Sequence, residues 1–142
     1  MKALRQSGGL DCWDFLFAIF TMVLPGYVEE AIARHLKAIE LSPGSDYFLG
    51  WLGLSLGLCG RKAEARGVLE QLRQSKGYSL PTAFAHVHLG LGEFDAVFEW
   101  FDRAVEERDQ IMMPILSYAH FDPLRCHPRF AALLHRMKLD KL

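Results

Sequence analysis

With 142 residues, the chain has room for one domain with a real core, but not for a catalytic domain beside a repeat array. Its 16 Lys and Arg face 17 Asp and Glu, a formal net charge of -1, so no global field gathers phosphate backbones or anionic lipid. The 51% apolar composition is that of a globular protein, and Cys12, Cys59 and Cys126 have neither the pairing of a disulfide framework nor zinc-site spacing, which fits a reducing cytoplasm.

The predicted elements begin with a helix over 11–24. Phe15 to Leu24 is apolar apart from Thr21 and follows Lys2 and Arg5, the order of a signal peptide or anchor. Ten residues fall short of the roughly 20 that a span requires, and Leu24-Pro25-Gly26-Tyr27 has no small-residue cleavage pattern, so a packed helix is expected and no membrane segment. A second helix is predicted over 28–41, stopped by Pro43, and a third over 46–59, with Ser45 as its cap. The third carries Gly53 and Gly57 four apart in the apolar run Phe48 to Cys59, a spacing that lets two helices approach closely. Helices follow over 62–75, 81–91, 93–108 and 128–138, with 111–119 left open. Gly60 and Gly77 suit left-handed positions after helices, and Pro81 and Pro128 suit first turns. Apolar residues recur at three and four throughout and nowhere alternate, so the expected fold is all-α.

A repeat runs through these helices. Gly26 and Gly60 stand 34 residues apart, as do Ala31 and Ala65, and Gly92 opens a third copy about two residues early. Phe101 and Ala104 of that copy correspond to Leu69 and Leu72, and to His35 and Ala38. Gly26, Ala31, Ala38 and Pro43, then Leu52-Gly53, Gly60 and Ala65, then Ala85, Gly92, Phe101 and Ala104 make the sequence resemble the tetratricopeptide repeat family. Gly90-Leu91-Gly92-Glu93-Phe94, Phe98-Glu99-Trp100-Phe101 and Phe121-Asp122-Pro123-Leu124-Arg125 with Pro128-Arg129-Phe130 are similar to the C-terminal repeats of bacterial multidomain signalling proteins, which follow a kinase, adenylate cyclase or winged-helix domain.

The resemblance implies a single domain over 1–142, a helix-turn-helix solenoid of about three pairs (11–44, 45–77, 78–109) and a C-terminal extension with its own helix (110–142). It also implies a concave face lined by the first helix of each pair: Trp13, Leu16 and Phe20, then Tyr47, Leu54 and Leu58, then Thr82, His86 and Leu89. The expected function is non-catalytic binding of a protein or peptide segment in that groove, with no cofactor; the alternative is a C-terminal regulatory fragment of a larger signalling enzyme or transcription regulator. Family members that clamp a terminal carboxylate use asparagine and lysine there, and this sequence has no asparagine. The apolar first helix at the end of the stack is expected to be covered, by self-association through Trp13, Phe17 and Phe20 or by a partner.

Competing chemistry is weaker. His86 and His88 point about 200° apart on a helix and cannot share a metal, the group His120, Cys126 and His127 near the end holds only part of a site, and Cys126-His127 lacks an orienting partner, so neither a metal site nor an enzyme is expected. Phe94, Val97, Phe101 and Ala104 form one helical face with Trp100 on its flank and read as core, while Arg125, Arg129, Arg136, Lys138 and Lys141 read as a solvated face rather than a nucleic-acid site.

Overall fold

The structure, a computed structural model, describes residues 19, 24, 26–75, 77, 79–109, 112 and 118–140. The described residues are all-helical, without a strand: α1 Val28–Leu41, α2 Asp46–Leu58, α3 Lys62–Gln74, α4 Pro81–Leu91, α5 Phe94–Glu106, a 3₁₀ helix Ala119–Leu124, and α6 Pro128–Arg136. The predicted helix over 11–24 lies outside the described residues except for Ile19, which is helical and buried, and Leu24, which is exposed.

Backbone chemistry sets the turns. Gly60 and Gly92 end α2 and α4 with φ of 84° and 77°, where a side chain would crowd the following carbonyl. The amide after each glycine then donates back into the last helical turn, Arg61 N to Leu56 O at 2.9 Å and Glu93 N to His88 O at 3.0 Å. Gly26 has φ of 86° ahead of α1, so three glycines share one conformation at three corresponding turns. Pro81 and Pro128 occupy the first positions of α4 and α6, where no amide is required. Ser45 does stand at the N-cap of α2, but in an extended conformation whose side chain makes no capping hydrogen bond.

Packing follows a regular order. Helix α2 lies against α1, α3 and α4, and α4 in turn lies against α2, α3 and α5, with α6 on α5. The α2–α4 contact is close because α2 presents glycines along the seam, against Ala83, Val87 and Gly90 of α4. A Cβ on Gly57 would fall 2.3 Å from the Gly90 backbone, and one on Gly53 would fall 2.4 Å from Val87. The two glycines singled out by their spacing are therefore the places where α4 crosses α2.

Helices α2 and α4 are apolar on nearly all sides because each feeds two apolar clusters. Trp51, Leu54, Ala85 and Leu89 join Phe98, Phe101, Phe121, Leu124, Phe130 and Leu133 in one. Leu52, Leu56, Ala83, Phe84, Val87 and Leu91 join Ile32, Val68, Leu69 and Leu72 in the other. Helix α3 buries only one stripe, Ala65, Val68, Leu69 and Leu72, and so keeps the amphipathic pattern of a surface helix.

Candidate interaction face

The nine residues expected to line the first-helix face fall into three groups. Trp13, Leu16 and Phe20 lie outside the described residues, as does Phe17. Tyr47 is half-buried at the start of α2, and Leu58 at its end is 45% exposed. Leu54 between them is fully buried, and Thr82, His86 and Leu89 on α4 are buried as well.

The chain's own C-terminal segment packs on this face at Trp51 and His86. Tyr118 and His120 place their rings 5.9 and 5.0 Å from Trp51 of α2. His120 and Phe121 lie 5.8 and 5.7 Å from His86 of α4. Phe121 also reaches Phe101 of α5 edge-on at 5.8 Å. Trp51 is the hub: it is buried, meets His86 at 4.6 Å and stacks with His35 of α1 at 6.5 Å, so four elements converge on one indole. Such ring pairs add roughly 0.5–1.5 kcal/mol each beyond the area they bury.

The electrostatics of this cluster are set by burial. His86 Nδ1 lies 2.6 Å from the Thr82 carbonyl oxygen, which only accepts, so Nδ1 carries the proton. Removal from water holds His86 down at about 4, although the Thr82 carbonyl and Asp109 pull the other way. Burial likewise lowers His35 to about 4, and burial together with the nearby His86 lowers His120 to about 3. The His120 Nε2 atom is buried with no hydrogen-bond partner among the described residues. All three rings are therefore neutral at pH 7, and Tyr47 beside them has its hydroxyl pushed up by burial.

The N-terminus of α4 is closed from a distance. The Asp109 carboxylate accepts from Thr82 Oγ1 at 2.8 Å and from Thr82 N at 3.3 Å, which ties the end of α5 to the start of α4. Asp109 is delivered by Arg108, whose left-handed φ of 56° terminates α5 while Asp109 N donates to Ala104 O at 2.8 Å.

The other residues weighed for chemistry disperse. His88 turns away from His86 and sits 3.2 Å from Glu93. His127 caps α6, its Nδ1 accepting from Arg129 N at 3.2 Å while its ring lies 4.6 Å from Phe98. Cys126 is exposed, and His120 is in the Trp51 cluster instead of beside it. Val97, Phe98, Phe101 and Ala104 are buried, and Trp100 stacks on Phe84 at 4.2 Å. Arg129 and Arg136 both pair with Asp102, joining α6 to α5, and Arg125 pairs with Asp122. On the opposite side of α2, a cleft of about 280 Å³ opens among Ile32, Leu36, Leu52, Arg61, Glu64 and Val68. No described helix is long and apolar enough to cross a membrane.

Sequence reasoning missed Trp51 and Tyr118 as members of this face. The available signal was a single tryptophan in the middle of a glycine-rich apolar helix, where a large ring needs space that small neighbours provide. Comparison of the chain with protein-family models, with curated proteins and with solved structures finds no match.

Proposed function

We propose that the chain is a non-catalytic protein-interaction module of the tetratricopeptide type, in which successive helix pairs stack and the first helices of the pairs present the binding face. The observation that carries this reading is the packing order. Each first helix, α2 and α4, touches its own partner, the preceding second helix and the neighbouring first helix, the pattern that stacked helix pairs generate. The shared glycine conformation at Gly26, Gly60 and Gly92 gives the same period at the level of the backbone. Chemistry on the face favours binding over catalysis: its imidazoles are held neutral by burial, and its remaining surface is aromatic and aliphatic, the kind that anchors partners.

Within that face, Tyr47 and Leu58 stand at the two ends of α2 and are the accessible anchors, so they are the positions to alter. Affinity capture from the native organism with the wild-type chain, Tyr47→Ser and Leu58→Glu tests the reading, with circular dichroism as the folding control. The wild-type chain should retain a partner that both variants lose at unchanged helicity. An identical set of proteins on all three would remove the face from consideration.

A further inference from the structure

The segment Tyr118–Leu124 is folded largely on itself: Phe121 N donates to Tyr118 O at 3.1 Å and Arg125 N to Asp122 O at 3.1 Å. Pro123 inside it has no amide to satisfy. Its ring contacts with the helices run through Trp51, His86 and Phe101, with His120 stacked between Tyr118 and the Trp51 edge. The short segment is self-bonded and is seated on the helices by these rings and by the buried Leu124, so it leaves only as a unit, and one of its rings is titratable.

The charged and titratable surroundings of His120 can be taken element by element. From α1 comes His35, across Trp51; from α2, Tyr47, edge-on to Trp51; from α4, His86. Asp109, at the end of α5, is bonded to Thr82 and acts on His86. Within the segment itself, Tyr118 stacks on His120 and Asp122 is exposed and paired with Arg125. Among the described residues, the titratable ring that meets His120 from the helices is thus another imidazole, and the carboxylate that acts on His86, Asp109, is engaged by α4.

We propose that Tyr118–Leu124 is a proton-released latch, which covers the Trp51–His86 face at neutral pH and leaves it when His120, together with His86, takes up a proton. Two imidazolium rings with centroids 5.8 Å apart repel in a buried setting, and an unpaired buried charge is expensive. Asp109 gives His86 some compensation. His120 therefore has the greater drive to reach water, and it can do so only by carrying its segment off the face. The large gap between the buried rings and an imidazole free in water, near 6.5, makes the release respond over mildly acidic pH. The face so opened adds Trp51, Leu54 and His86 to the accessible anchors at Tyr47 and Leu58. The latch goes beyond the module reading and requires no partner.

Hydrogen exchange read by mass spectrometry on the full chain, corrected for the intrinsic chemical rate, tests it between pH 7.5 and 5.0. Protection over 118–127 should fall by up to about a thousandfold, from a factor of roughly thirty for each of the two imidazoles of free pKa near 6.5 at pH 5, while α2 and α4 keep theirs. His120→Phe, which keeps the ring and removes that proton site, should lose only the roughly thirtyfold that His86 contributes at pH 5.0. The latch is overturned if protection over 118–127 does not change, if it is lost together with that of α2 and α4, or if His120→Phe opens as the wild-type chain does. Because no partner enters the measurement, its failure leaves the module reading standing, and failed capture leaves the latch standing.

Discussion

His35, His86 and His120 illustrate how a residue's neighbours, more than its type, decide its role. Each is an imidazole whose folded value lies below its unfolded value, so the unfolded chain takes up protons first as the pH drops. The stability they confer is therefore complete above about 6.5 and erodes as pH falls toward about 4, with a slope of up to about 1.4 kcal/mol per pH unit for each ring. Urea denaturation at pH 7.5, 6.0 and 5.0 should show this loss before the carboxylates of the ion pairs begin to titrate, and a flat profile over that range would refute the burial of the three rings. Asp109 makes a second test at this scale. Asp109→Ala removes both hydrogen bonds to Thr82 and should cost about 1–2 kcal/mol in the same assay. The sequence marked His86 for this face and raised His120 only as a possible metal ligand. That the two meet over Trp51 was not legible, because rings so far apart in the chain are brought together only by the path of the segment after α5.

At the scale of elements, the sequence carried most of the information. The limits of α1 and α4 match the predicted 28–41 and 81–91, and the remaining helices end one or two residues inside their predicted bounds, where the last turns tighten. The 3₁₀ helix was not anticipated, since a six-residue stretch containing Pro123 has no room for an amphipathic period. The glycine seam was legible as spacing, and its meaning can be tested by contrast. Gly57→Ala would drive a Cβ into the Gly90 backbone and should cost about 2–3 kcal/mol, whereas Gly67→Ala, with nothing within 4 Å on an exposed part of α3, should stabilise by about 0.5–1 kcal/mol. Equal effects in thermal melts would mean that α2 and α4 do not cross at these glycines. Arg108→Gly should likewise raise stability by up to about 1 kcal/mol, because the left-handed conformation that ends α5 costs an arginine more than a glycine.

For the molecule as a whole, the periodic glycines and alanines pointed to paired helices, and in the observed packing order α2 and α4 each lie against three other helices. The sequence could not indicate that the C-terminal extension folds back. An extension rich in rings and prolines gives no sign of direction, and what draws it in is the apolar surface that α2 and α4 leave uncovered after packing on α1, α3 and α5. The face that the resemblance implied for binding is thus partly filled: Leu54 and His86 are buried, and Tyr47 and Leu58 remain accessible at the two ends of α2. Both the proposed binding face and the proposed latch depend on this seating. Nuclear Overhauser spectra at pH 7.5, with Trp51 assigned by comparison with Trp51→Phe, test it most directly. Strong cross-peaks should join the Trp51 indole to the rings of His86, Tyr118 and His120; an indole with cross-peaks to His86 but none to Tyr118 or His120 would contradict the account.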